Sequence, residues 1–478
     1  MATTDVVSRR LGALTERGMV VLSRVMKNIA LWCCAVMLVS VPVVADDAAS
    51  SNPVADITSS ALTDGFAWDW LSTLCDLYGP RLSGSEAYDR AAAWAVESFQ
   101  EAGFDRVWTE PVMVPHWVRG TEWARMTAPV DEPLIITGLG GSHGTPEEGV
   151  EAELVLVHDF EELEALGDAA RGKIVLFNPE WNGYGSVAEY RVNGPAAASR
   201  AGAVGALVRS ATGFSLGTPH TGMTRFGDDV RRIPAAAVTT ETADRVERLI
   251  GRGEAVRVRW YAEAVNHPLV EQPTVLAEVR GTDRPDEIVV AGCHFDSWDV
   301  GTGAHDDGAG CAVMVGAARL LLDERWRPRR TVRVVLFASE EQGGHAGPAY
   351  LEAHREELDR HVAAIESDSG CFAPAGFSVR GSAGAVGRVA ELAAPLAGLG
   401  ASTVTVGWAG VDIGPIVNAG VPGIGHRTHN DRYFDYHHSP ADTLDKVDPD
   451  DLAANVAAVA GLLWGVANAD EPLPRSNP

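Results

Sequence analysis

The sequence predicts an α/β protein, a mostly parallel sheet sandwiched by helices, that carries an inserted β-rich domain. Three observations lead there. From Thr274 onward, short apolar strands alternate with helical patterns, as in a parallel sheet joined by crossover helices. Histidines and acids cluster where those strands end. Between about Pro129 and Pro268 the pattern changes to short strands with Gly-rich connections, the mark of a separate unit whose two ends return to one point.

At 478 residues the chain has room for two or three domains and a large core. Its formal net charge of -26 argues against nucleic-acid and anionic-membrane partners and favours a soluble protein. At the N-terminus, Arg24 and Lys27 precede an apolar stretch from Ile29 to Ala45, and Val43-Val44-Ala45 fits a small-residue cleavage site. We read residues 1–45 as a secretory signal peptide, with Met19 or Met26 as alternative starts. Pro42 and the short apolar length argue against an uncleaved anchor, so stable membrane insertion after cleavage is not expected. The protein is then secreted or periplasmic. Of six cysteines, Cys33 and Cys34 leave with the signal. Cys75, Cys293, Cys311 and Cys371 are widely spaced and form no CxxC pair, which excludes zinc-thiolate and disulfide-scaffold readings; Cys293 and Cys371 read as buried free thiols, and a single disulfide among the four stays open.

Taken in order, residues 46–61 are rich in Ala, Asp and Ser and read as a flexible N-terminus. The first part of the main domain, 62–128, opens with a helix over Phe66 to Leu77. A turn-rich loop from Tyr78 to Ser85, a second helix over Tyr88 to Glu101 and a strand over Val107 to Val114 follow. Residues 129–268 are the insertion, with strands at 153–157, 173–178, 205–209, 235–239 and 255–260 and helices at 195–203 and 242–250. Its His143, His158 and His220 read as surface or core residues. The main domain resumes over 269–470, with strands at 275–280, 287–291, 331–338, 362–367, 402–406 and 421–425. Helices between and after them cover 310–323, 346–358, 384–399, 412–419 and 448–468. Residues 471–478 form a polar, Pro-bearing, loose tail.

The chemistry sits at the strand ends. Glu287 to Ala291 leads to His294 and Asp296, then to Asp306 and Asp307 at a helix start. Thr331 to Ala338 runs into Glu340 and Glu341, Val362 to Ile365 into Glu366 and Asp368, and Val421 to Gly425 leads on to His437, His438 and Asp442. Ligands of an open α/β sheet bind at that edge. Imidazoles mixed with carboxylates suit zinc and neighbouring divalent metals. Five such groups exceed what one open catalytic zinc needs and suit two metals sharing a carboxylate and a water. Asp307 reads as a helix cap, Asp412 equally as a helix cap or as a group that orients substrate or a ligand, and Trp298, Phe434 and Tyr436 as core in preference to pocket lining.

The stretches HFDSWDVGTGAHDDGAG, ASEEQGG, ESDSG and HHSPADT resemble the motifs of the di-zinc aminopeptidase family, most closely its plasma glutamate carboxypeptidase branch. YGPRLSGS, RGKIVLFN and DIGPIVNAGVPG extend the likeness from about residue 62 to the C-terminus, and the insertion resembles that branch's protease-associated domain. The resemblance implies the zinc aminopeptidase fold and two Zn2+ per chain. His294 and Asp368 would hold one ion, Glu341 and His438 the other, with Asp306 bridging them. Glu340 would be the general base for a hydroxide held between the metals, and Asp296 would accept a hydrogen bond from the His294 ring. His437 competes with His438; the Ser-x-x-Asp-Thr that follows favours His438. His305 is not expected to be a ligand. The implied activity is removal of terminal residues from short peptides, dipeptides included, by an enzyme that dimerises. Whether the polarity is that of an aminopeptidase, carboxypeptidase or dipeptidase stays open, and an Arg or Lys converging on the pocket would favour carboxylate recognition. Two other readings compete: a catalytically silent receptor-like protein, which expects broken ligands, and a glutaminyl cyclase-like single-zinc transferase.

Overall fold

The structure, a computed structural model, describes residues 52–476. The expected signal peptide lies outside the described residues. In chain order the strands are β1 (Arg106–Val118), β2 (Glu122–Ala128), β3 (Glu132–Leu134), β4 (Ile136–Gly138), β5 (Val150–Val157) and β6 (Ile174–Phe177). There follow β7 (Gly205–Arg209), β8 (Ala235–Val238), β9 (Arg257–Ala262), β10 (Val265–Val279) and β11 (Arg284–His294). The last are β12 (Arg330–Phe337), β13 (His361–Ser367), β14 (Pro374–Arg380), β15 (Val404–Val406) and β16 (Gly423–Thr428).

One sheet runs β1-β10-β12-β11-β13-β16-β14-β15. Its centre, β12, β11, β13 and β16, is parallel. β12 and β13 are buried along their whole length, as strands covered on both faces must be. The margins correct the expectation of a mostly parallel sheet: β1 and β10 run antiparallel at one side and β14 runs antiparallel to β16 at the other, so the sheet is mixed. The reason is connection length. β14 follows β13 after only a short loop, which cannot carry the crossover a parallel return requires.

β1 and β10 pair from Arg106↔Glu278 to Val118↔Val265 and form a ribbon that leads out of this sheet and back. Between its ends lies the second sheet, β3-β2-β9-β5-β6-β7-β8-β4. The insertion therefore starts at β2, before residue 129, because Glu122–Ala128 pairs with β9 although its composition resembles what precedes it. It is also less purely β than expected. β5, β6, β7 and β8 are parallel and are joined by helices Phe160–Leu166 and Tyr184–Arg200.

Two segments expected to be loose are ordered. Helix Pro53–Ala61 is capped by Asn52 and buries Ile57 and Ala61 against helix Pro449–Asn468. In the tail, Leu473 is buried and Arg475 donates to the His361 carbonyl at 2.8 Å. The apolar helix Pro449–Asn468, long enough to cross a bilayer, is mostly buried in the core. The four described cysteines are buried free thiols.

Candidate metal centre

The four central parallel strands deliver the predicted groups to one edge. β11 ends on His294, the chain leaving β12 carries Glu340 and Glu341, and β13 is followed by Asp368. The segment after β16 brings His437 and His438. Two buried polar residues fix the connecting loops. Arg81 donates to the carbonyls of Phe295, Thr302 (2.8 Å) and Gly303 (3.1 Å), pinning the loop after β11. Asp442 accepts the backbone N–H groups of His305 (2.7 Å) and Asp306 (3.1 Å).

The decisive geometry is at Asp306. Its Oδ1 lies 3.2 Å from His294 Nε2, and its Oδ2 lies 3.3 Å from His438 Nε2. Asp368 Oδ1 is 3.7 Å from His294 Nε2 on the first side, and Glu341 Oε2 is 2.8 Å from His438 Nε2 on the second. One carboxylate thus faces two separate imidazole–carboxylate pairs. Donor atoms of His294, Asp306 and Asp368 lie within 4.8 Å of one another, and so do those of Asp306, His437 and His438.

Buried polar atoms normally find partners. Here Asp306 Oδ2 and Glu341 Oε1 are buried without a hydrogen bond. Electrostatics points the same way. Burial raises Glu341 to about 7, with the Asp306 charge adding to it. Burial also holds Glu340 well above the usual carboxylate range, His294 lowering it and Asp368 and Glu341 raising it further. Asp306 goes the other way: burial raises it, but His437, His294 and His438 outweigh that and hold it well below its usual range. A buried cluster of this composition, with unspent oxygen and nitrogen donors converging, fits divalent cations.

Other positions need correction. The His294 ring does not bond the Asp296 carboxylate; its Nδ1–H donates to the Asp296 carbonyl at 3.0 Å. The carboxylate instead accepts the N–H groups of Glu340 (3.0 Å) and Glu341 (3.3 Å), because the fully buried side chain turns toward two otherwise orphaned donors. Asp307 does not cap the helix that follows; its Oδ2 accepts the His294 N–H at 3.3 Å. Asp412 caps nothing either: it is buried with both oxygens unpartnered. Burial, then Glu366 and Glu340, holds it well above its usual range. His305 is no ligand candidate, since Nδ1 accepts from Cys371 N–H and Nε2 meets the Lys446 carbonyl. His437 stacks on His438 with ring centroids 3.5 Å apart and stands 3.6 Å from Asp306 Oδ2. His220 is a buried residue of the insertion, as expected, and Trp298 belongs to a small core with Leu82 and Trp117. Phe434 departs from the core reading and lines the pocket.

Sequence reasoning missed the part the insertion plays. The cluster opens into a cavity of about 640 Å³ that Tyr184, Arg191 and Met223 help to line. The Thr221 carbonyl lies 3.2 Å from His438 Nδ1, and Thr221 N–H donates to the His438 carbonyl at 2.8 Å. Arg191 donates to the Thr221 carbonyl and to the Tyr184 hydroxyl. It reaches there because Gly222, at φ 141°, has no Cβ; one would sit 2.3 Å from the guanidinium carbon. Arg81 and Asp442 did carry a signal, since both fall inside the motifs YGPRLSGS and HHSPADT.

Comparison with known proteins gives the family. The family model described as Peptidase family M28 matches residues 274–463. Carboxypeptidase Q of Mus musculus is 38% identical over 410 residues, covering 86% of this chain and 87% of that protein. Carboxypeptidase Q of Homo sapiens is 37% identical with the same coverage. The crystal structure of a Peptidase M28 precursor from Shewanella amazonensis superposes with a TM-score of 0.85 at 37% identity, covering 89% of this chain and 98% of that one. A zinc aminopeptidase from Bacillus subtilis shares the fold with a TM-score of 0.65 at 19% identity, over 85% and 96% of the two chains. The chain belongs to peptidase family M28, in its carboxypeptidase Q branch, and is accordingly a zinc metallopeptidase.

Proposed function

We propose that the chain is a di-zinc exopeptidase acting on terminal bonds of short peptides, dipeptides included. The observation that carries this reading is Asp306, whose two oxygens face His294 and His438 separately. His294, Asp368 and Asp306 would hold one ion, and His438, Glu341 and Asp306 the other. His438 is preferred to His437 because its Nε2 meets both Asp306 and Glu341, whereas His437 approaches Asp306 alone, at 3.6 Å. Two zinc ions there supply Lewis-acid polarisation of the scissile carbonyl and a more acidic water.

The chain's own residues do the rest. Glu340 lines the cavity beside the ligand set, and its raised proton affinity suits a base that takes the proton of the attacking water. It then returns that proton to the leaving amine. Asp296 holds Glu340 and Glu341 by their backbone N–H groups, so base and ligand keep a fixed relation. The inserted domain, which we read as protease-associated-like, closes the cavity and orients His438 through Thr221. Secretion and homodimerisation rest on the N-terminal pattern and the family resemblance; N-terminal sequencing of the exported protein and sedimentation equilibrium test them.

The test is hydrolysis of blocked and unblocked dipeptides, with and without chelator, by wild type and Glu340→Gln. Wild type should cleave and be silenced by chelator. Glu340→Gln should keep its zinc and lose about 10²–10⁴-fold in turnover. Full activity in that variant would overturn the base assignment.

A further inference from the structure

The chain that follows Gly222 builds one wall of the metal-site cavity. It presents Met223 and Arg225 there, and the same two residues line a neighbouring cavity of about 380 Å³. Arg225 therefore stands where the two spaces meet. Its backbone is held: Arg225 N–H donates to the Val192 carbonyl at 2.9 Å, and Thr224 Oγ1 donates to the same carbonyl at 3.1 Å. Thr224 N–H donates to the Gly140 carbonyl at 2.8 Å.

The Arg225 side chain differs from its neighbours. Arg191 bonds Tyr184 and Thr221, Arg232 bonds the Gly141 carbonyl, and Arg119 pairs with Asp299. Among the described residues, no hydrogen-bond acceptor or carboxylate engages the Arg225 guanidinium. In a chain of net charge -26, an exposed guanidinium left free on a pinned backbone beside an acid-rich cavity is placed for an anion from outside. A guanidinium fork matches a carboxylate in two parallel bonds. We propose that Arg225 binds the free α-carboxylate of short peptide substrates, so that the enzyme reads the carboxyl end of dipeptides. This deepens the function proposed above and rests on it.

The test compares a dipeptide with its C-terminal amide, using the zinc-loaded full chain. Wild type should prefer the free acid. Arg225→Gln should lose about 10–100-fold in kcat/KM on the acid, mostly through KM, and stay within about twofold on the amide. Arg225→Lys should recover part of the loss. Arg427→Gln, which removes another arginine without a carboxylate partner, at the cavity beside Trp408, should leave the acid-to-amide ratio unchanged. Equal losses on both substrates in Arg225→Gln, no loss on either, a wild-type preference for the amide, or collapse of the ratio in Arg427→Gln instead would each overturn the inference alone. Absence of chelator-sensitive turnover on both substrates in wild type would overturn the proposed function, and this inference with it.

Discussion

Asp296→Asn isolates the residue that ties the base to the ligand set. The Asp296 carboxylate is fully buried and accepts two backbone N–H groups, Glu340 at 3.0 Å and Glu341 at 3.3 Å. Asparagine in the same pose offers one oxygen and one NH2, so one buried N–H keeps its acceptor and the other faces a donor. Leaving a buried N–H unsatisfied costs about 1–3 kcal/mol, and losing the charge on the surviving bond adds to that, for a total of about 2–4 kcal/mol in the zinc-loaded protein. The metal-free protein should lose less, because removing one buried negative charge relieves repulsion in an acid cluster whose proton affinity is already raised. The His294 ring should be unaffected, since its acceptor is the Asp296 carbonyl, which asparagine retains. Displacing Glu340 and Glu341 together should lower zinc affinity about 10- to 100-fold. The assays are urea unfolding of metal-free and zinc-loaded protein, and zinc competition against a chromophoric chelator. A variant within about 0.5 kcal/mol of wild type, the scale of a surface change, with unchanged zinc affinity would refute the role given to Asp296.

The neighbouring histidines should separate cleanly: His438→Ala should lose one zinc per chain by elemental analysis, whereas His437→Ala should keep both; the reverse pattern would exchange their roles. Away from the site, burial pushes His361 down to about 4 although the Glu357 carbonyl opposes it, and Tyr350 bonds its other nitrogen. In the unfolded chain the residue titrates near its ordinary 6.5, so the unfolded state binds the extra proton as pH falls from 6.5 toward 4. Stability present above 6.5 is lost across that window, on the order of 3 kcal/mol from this one group. Urea midpoints taken from pH 7 to 4.5 should fall less steeply in His361→Gln, and an identical slope would contradict the assignment.

What the sequence made legible was the parallel centre of the sheet and the gathering of histidines and acids at its edge. Thr331 to Ala338 is an apolar, β-branched run interrupted only by Arg333, and Glu340 and Glu341 follow just past its end. Less legible was whatever depends on pairing with distant chain. β14 hides because Pro374 and Gly376 break its alternation, and Gly376 takes a positive φ where a Cβ would overlap the Thr403 carbonyl. Helix Tyr184–Arg200 runs through Pro195, so its first half reads as loop. Composition misjudged residues 53–61, since the small polar residues that suggest flexibility also leave room for Ile57 and Ala61 to pack on a helix near the other end of the chain. The contact of Thr221 with His438 spans 217 residues, and nothing local in either segment announces it. Asp296 shows the limit even inside a motif: the residue type was legible, but which atom meets the ring was not.

The central claim is that Asp306 lies between two ions. Anomalous diffraction at the zinc edge from crystals of the metal-loaded protein tests it most directly. Two peaks per chain are expected, one within coordination distance of His294, Asp368 and Asp306, the other of Glu341, His438 and Asp306. A single peak at full zinc loading, or two peaks that do not share Asp306, would contradict it.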